Sequence, residues 1–144
     1  MKIRVLWAGK TKKTYFRSAI EDYSERIRKL IAFEIVETRE ESTSDDRRRL
    51  KLESKRLIQS RQAPTSVVLD SKGKMMTSEE FARWLENAGN VDFILGGPAG
   101  FDAGEASLKL SFGKITLPHE LARVVLLEQI YRALMILHRI PYHK

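Results

Sequence analysis

The chain has 144 residues, 42% of them hydrophobic and 31% charged, a balance that suits one soluble globular domain over 1–144 rather than a disordered or membrane-spanning chain. It contains no cysteine, which excludes disulfides, thiolate zinc sites, iron–sulfur clusters and a cysteine nucleophile. The net charge of +7 lies wholly in the first half: residues 1–72 hold 18 Lys and Arg against 11 Asp and Glu, whereas residues 73–144 hold eight of each, and so localised a field attracts polyanions, nucleic acid first among them.

In chain order, “KIRVLWA” at 2–8 is rich in β-branched and aromatic residues and predicts a short strand. Phe16, Ile20, Tyr23, Ile27 and Leu30 recur at steps of three and four, the spacing of an amphipathic helix. “FEIVET” alternates and predicts a second strand. “STSDDRRRLKLESKRLIQSR” opens on helix-capping residue types and continues with helix formers, so it predicts a basic helix that carries Arg47, Arg48 and Arg49. “SVVLD” at 66–70 is a continuous apolar run suited to a buried parallel strand, with a Ser-Lys-Gly-Lys turn after it. Thr77 and Glu80 have the spacing of a capping box for a helix through Phe81, Trp84 and Leu85 that ends near Gly89. “VDFILGG” predicts the next strand and runs into “GGPAG”. “ASLKLS” is ambiguous, “KITL” predicts a short strand, and “PHELARVVLLEQIYRALMILHRI” predicts a long helix opened by Pro118.

This alternation argues for an α/β sheet with helices on both faces. Ligands of such sheets bind at the carboxyl ends of the strands. Three polar or Gly-rich segments fall there, at 70–74, at 96–100 and after 115–117, and their convergence would make one pocket. No apolar run approaches a membrane span and the first ten residues lack the apolar stretch of a signal peptide, so a cytoplasmic location without membrane contact is expected.

Familiar catalytic signatures fail on inspection. The dinucleotide fingerprint needs G-x-G-x-x-G, but the loop reads G-G-P-A-G. A Walker A loop needs a glycine where Arg4 stands before Gly9-Lys10-Thr11. His119-Glu120 opens a zincin-like run whose fifth position is Arg123 instead of histidine, and His138 and His143 have no ligand spacing with His119. No G-x-S-x-G elbow exists.

The ordered set “LDSKGKMMTSEEFA”, “FILGGPAGFD”, “KITLPHELARVVLLEQIYRALMI” and terminal “PYHK” resembles the small SPOUT-superfamily methyltransferases of the ribosomal large subunit methyltransferase H family, which modify a pseudouridine in large-subunit ribosomal RNA. The resemblance covers almost the whole chain and is densest from Val67 onward. It implies an α/β fold with a C-terminal trefoil knot, a homodimer, S-adenosylmethionine as methyl donor, no metal, and methylation of pseudouridine N3 in ribosomal RNA, on ribosomes. By position, it implies that the cofactor is held by Leu69, by Gly96 and Gly97, and by the segment Gly113, Lys114, Ile115, Thr116, Leu117 and Pro118. Two turns free of bulky side chains can wrap adenine and methionine with backbone donors and acceptors, between apolar walls from Leu69, Ile115 and Leu117. Family members often have Ser where this chain has Gly113, so a hydroxyl contact at that turn is lost or replaced.

Methyl transfer is an in-line displacement that asks the protein to align donor and acceptor and to help a weakly acidic imide lose its proton. The resemblance puts the tail beside the cofactor, with His143 as base or orienting group, Tyr142 as stacking or hydrogen-bonding partner, and Lys144 on phosphate or the developing anion. Arg47, Arg48 and Arg49 are the expected RNA contacts, and Arg123 and Arg132 have the spacing to pair with Glu120 and Glu128. The second functional reading is a non-catalytic basic RNA-binding domain of the same fold.

Overall fold

The structure, a computed structural model, describes residues 1–96 and 106–143. Its elements are β1 (Lys2–Ala8), α1 (Thr14–Arg28), β2 (Ala32–Thr38), α2 (Asp46–Gln59), β3 (Thr65–Met75), α3 (Ser78–Ala88), β4 (Val91–Leu95), β5 (Leu108–Ser111) and α4 (His119–Leu137). Among the described residues the strands form one sheet in the order β2-β1-β4-β3-β5, with every pairing parallel. Parallel strands need crossovers, and α1, α2 and α3 supply those from β1 to β2, from β2 to β3 and from β3 to β4.

Side-chain alternation in β1 shows how the two faces are filled. Ile3, Val5 and Trp7 join Phe93 and Val67 in the larger core under α1, α3 and α4. Leu6 points the other way and meets Val68, Ile94 and Leu57 of α2. Leu57 is fully buried there, a burial worth about 2 kcal/mol that keeps the basic helix on the sheet. Asp45 caps α2 by accepting the Arg47 and Arg48 backbone N–H groups, and Thr77 and Glu80 form the expected capping box on α3.

At the amino ends of the strands, Asp92 is fully buried. Its Oδ2 accepts from Arg4 Nη1 at 3.2 Å and from the backbone N–H groups of Gln62 and Ala63 at 2.6 and 3.0 Å. Arg4 Nη1 also donates to the Ser60 carbonyl, so one carboxylate ties the end of α2 and the entry to β3 into the sheet.

Two expectations need correction. “KITL” is not a strand: the sheet edge beside β3 is taken by Leu108–Ser111, from the ambiguous “ASLKLS”, and the residues after Ser111 leave the sheet as an irregular segment. The Ser-Lys-Gly-Lys stretch does not end β3 but lies within it, where Leu69 and Lys74 both stand opposite Leu110 across an irregularity. Gly73 allows this, since a Cβ there would meet the Lys109 carbonyl oxygen at 2.5 Å.

Candidate active site

The register brings the carboxyl ends of four strands to one level. Trp7 pairs with Leu95, Leu69 with Leu110, and Val68 with both Ile94 and Lys109, so the loops after β1, β4, β3 and β5 leave the sheet side by side. The chain departs β5 at Ser111, on the sheet edge. By Glu120 it is bonded to the loop after β1, whose Lys12 and Lys13 backbone N–H groups both donate to Glu120 Oε1 at 3.0 Å. Segment 112–119 therefore reaches from one side of β3 and β4 to the other, at their carboxyl ends.

Leu69, Gly113, Ile115, Thr116 and Leu117, five of the residues expected to hold the cofactor, line one cleft of about 230 Å³ together with Asp70, Ser71 and Phe112. A second hollow, beside α3 and α4, shares Leu110, Phe112 and Gly113 with it. Gly96 is half-buried just past β4, and Lys114 and Pro118 are exposed; none of the three lines the cleft. Gly97 lies outside the described residues.

The cleft suits a ligand with apolar faces and polar edges. Ile115 is 82% exposed, an apolar side chain without cover, while Asp70, Ser71 and Thr116 add polar groups. Gly113 has φ +112, and a Cβ added to it would meet nothing within 4 Å, so backbone conformation, not crowding, demands glycine. The turn is held by Ser111, whose Oγ accepts the Gly113 N–H at 3.0 Å and lies 3.1 Å from the carbonyl oxygens of both Ser71 and Gly113. The hydroxyl that holds this turn is that of Ser111.

The tail is docked rather than frayed. Arg139, at φ 56, turns the chain back after α4, and Tyr142 packs edge-on to Tyr131 with ring centroids 4.9 Å apart. Arg132 lies over the Tyr142 ring and is itself paired with Glu128 at 2.7 Å. Burial, then the Glu128 charge, pushes the Tyr142 phenol up to about 12, so at neutral pH it is a donor. His143 lies between Arg132 Nη1, 3.0 Å from Nδ1, and Glu79 Oε1, 2.6 Å from Nε2. A guanidinium only donates, which makes Nδ1 an acceptor and puts the ring proton on Nε2, facing Glu79. Neither Tyr142 nor His143 lines the cleft, and Lys144 lies outside the described residues.

The three expected RNA-binding arginines separate. Arg47 and Arg48 are exposed at the start of α2, whereas Arg49 pairs with Glu40 and, at 3.3 Å, with the buried Glu53. Of the helix pairings, Arg132 does pair with Glu128, but Arg123 turns inward. Arg123 donates to the Ala8 carbonyl at 2.7 Å and to Thr11 Oγ1 at 3.0 Å, and it stacks over Trp7. Burial lowers the pKa of this guanidinium.

Sequence reasoning missed Ser111, Glu120 and Arg123. The signal for Arg123 was its place on the stripe continued by Leu127, Ile130 and Leu134, where a charge must find buried partners. Burial pushes the Glu120 carboxyl up, but the Lys13 and Lys12 N–H groups, with His119 and Arg123, outweigh it and hold it below the ordinary 4.5. The folded value lies below the unfolded one, so the stabilisation is complete above about pH 4.5 and is lost as pH falls through the folded value. Urea midpoints measured from pH 7 down to 3 should fall less steeply in Glu120→Gln than in the unaltered protein.

Residues 1–143 match the family described as “Predicted SPOUT methyltransferase”. The chain is similar to “Ribosomal RNA large subunit methyltransferase H 1” of Clostridium perfringens (strain SM101 / Type A), 38% identical over 159 aligned residues that cover all of both chains. It is also similar to “Ribosomal RNA large subunit methyltransferase H” of Streptococcus pneumoniae (strain CGSP14), 39% identical over 160 aligned residues with the same full coverage.

Proposed function

Because the chain belongs to the SPOUT methyltransferase family, we propose that it methylates large-subunit ribosomal RNA at N3 of a pseudouridine, with S-adenosylmethionine as donor. The enzymatic reading is favoured over a non-catalytic RNA-binding domain. The observation that carries the site is the meeting of Leu69, Gly113, Ile115, Thr116 and Leu117 at one cleft on the carboxyl edge of a parallel sheet.

S-adenosylmethionine, when bound, supplies a methyl group activated by the sulfonium charge. Leu69, Ile115 and Leu117 would give the cofactor apolar walls, and the backbone of the Gly113 turn its polar contacts, with Gly96 and Gly97 kept as the further contacts that the resemblance implies. The protein's own chemical task is to orient the base and accept the N3 proton. In its docked position His143 has no free lone pair, because Nδ1 already accepts from Arg132 and Nε2–H faces Glu79. It serves there by orienting, and to act as base it must leave Arg132 and expose Nδ1. Tyr142, held as a neutral phenol, donates or stacks, and Lys144 is assigned to phosphate or to the developing anion.

A homodimer belongs to this reading. Ile115 and Met75 are apolar and largely exposed near the cleft, surface that a second copy can cover. The crossing of segment 112–119 past β3 and β4 likewise favours a knotted path. No helix among the described residues is long and apolar enough to cross a membrane, and the ribosomal substrate puts the working protein in the cytoplasm. Among the described residues there is no cluster of three or more metal-ligating side chains.

The test is incubation with labelled S-adenosylmethionine and ribosomes from a strain lacking the modification. Label should enter large-subunit ribosomal RNA, and mass mapping should place it on a pseudouridine. A protein that binds the cofactor yet labels no ribosomal RNA would overturn the substrate assignment. For the cleft, Gly113→Ala should weaken cofactor binding by about 10-fold, since an L-residue at φ +112 costs about 1–3 kcal/mol and the turn will relax away from it. Calorimetry on the folded variant checks this, and unchanged affinity removes the turn from the site.

A further inference from the structure

We propose that residues 10–17, “KTKKTYFR”, form a preordered RNA grip beside the cofactor loop, with Lys10, Lys13 and Arg17 on phosphates and Tyr15 stacking on an unpaired base. The inference rests on the reading of the protein as a ribosomal RNA methyltransferase and adds to it the surface that receives the substrate. Lys10, Lys13 and Arg17 are all exposed, and among the described residues none of them makes an ion pair. Lys12 reaches only Glu40, at 3.9 Å, and Glu40 is also held by Arg49. Cations without carboxylate partners at the rim of a site are free to meet phosphate, and the first turn of α1 contains no acidic residue to oppose them.

Tyr15 gives the patch its chemical identity. Its side chain is 65% exposed in the midst of these cations, yet its ring is propped edge-on by Phe16 with centroids 4.6 Å apart. An exposed aromatic held in place between basic residues offers a face to an unstacked base, which is how single-stranded RNA is held. A lipid surface or an acidic protein would answer to the lysines but has no base to lay on the ring.

The backbone beneath these side chains is fixed before any RNA arrives. Gly9 N–H donates to the Thr38 carbonyl at 2.9 Å, Thr11 accepts from the buried Arg123, and Glu120 takes the Lys12 and Lys13 N–H groups. Glu120 stands two residues after Pro118, so the carboxylate that orders the grip continues directly from the segment expected to hold the cofactor. An RNA strand gripped at 10–17 is thereby presented to the same edge of the sheet as the methyl donor.

The test compares three variants with the unaltered protein: Lys10→Ala/Lys13→Ala/Arg17→Ala, Tyr15→Ala and Tyr15→Phe. Ribosomes lacking the modification are the substrate, and calorimetry reads S-adenosylmethionine affinity separately. The triple variant should raise KM for ribosomes by about 10-fold or more and lower the slope of log affinity against log salt by about 2 to 3, with cofactor affinity unchanged. Tyr15→Ala should raise KM by about 10-fold, and Tyr15→Phe, which keeps the ring, should restore it. Unchanged KM and salt slope in both alanine variants would overturn the grip, and a phenylalanine variant as weak as alanine would overturn the stacking role. If the unaltered protein binds the cofactor but methylates no ribosomal RNA, the functional reading itself fails and the grip with it.

Discussion

Deletion of Tyr142, His143 and Lys144 is expected to leave S-adenosylmethionine binding intact while slowing methyl transfer by about 100-fold or more, the usual loss when a positioned proton-transfer group is removed. The separation follows from geometry: the described tail residues lie against Tyr131, Arg132, Glu128 and Glu79, and none of them lines the cleft. Stability falls only modestly, by about 1–2 kcal/mol, for one aromatic edge contact and a few half-exposed hydrogen bonds. Rate and melting temperature therefore respond very differently. His143→Ala alone divides the possible roles. A loss of about 100-fold or more marks the proton acceptor, and a loss of only several-fold marks an orienting ring. Single-turnover transfer to ribosomes lacking the modification, alongside calorimetry, makes the measurement. A truncated enzyme with an unaltered rate would move the chemistry to the loops.

The largest effect on stability is expected from Asp92→Ala. The substitution takes from the buried Arg4 guanidinium its one buried carboxylate, leaving it the half-exposed Glu34 at 3.5 Å and the Ser60 carbonyl, and leaves the Gln62 and Ala63 N–H groups without their acceptor. Breaking a buried pair by removing one partner costs about 3–5 kcal/mol, and in a domain of this size the melting temperature should drop by roughly 10–20 °C. Asp92→Asn keeps an acceptor oxygen and should lose less. Because Asp92 lies at the amino ends of the strands, away from the cleft, cofactor affinity of the folded fraction should not change in either variant. Thermal unfolding by circular dichroism decides the point, and a drop of only a few degrees for alanine would show that the Arg4 network is dispensable.

What could be read from the residues depended on whether the signal was local. β1 and β4 announce themselves because both faces of a central parallel strand are covered, so nearly every position is apolar. The α3 capping box is legible for the same reason, being complete within Thr77–Glu80. “KITL” misled because four residues with apolar alternation look alike in an edge strand and in a cleft wall; the difference lies in Leu108–Ser111 having already taken the place beside β3. At the cleft, the resemblance named Leu69, Gly113, Ile115, Thr116 and Leu117 as the residues expected to hold the cofactor, and the fold brings these five together. The roles of Ser111, Glu120 and Arg123 were not legible, because their partners are Gly113 across a turn and Ser71 forty residues back on β3, or Lys12, Lys13, Thr11 and Ala8 more than a hundred residues away. Arg49 shows the converse: a basic run suggests three equivalent RNA contacts, and the fold assigns one of them to Glu40 and Glu53.

The bond between the Lys12 N–H and Glu120 spans 108 residues, and that from Arg123 to Ala8 spans 115. Contacts of such long separation form late, since the whole intervening loop must be closed before they give anything back. During synthesis the basic segment at 10–17 is made more than a hundred residues before Glu120 and Arg123, the two residues that shape it, and it emerges into the company of the translating ribosome. A nascent chain consequently carries the charge of the finished protein without its ordered loop or its cleft. Competence switches on only after Glu120 and Arg123 have been made, and fragments cut anywhere before Glu120 should be inert bystanders rather than weak enzymes.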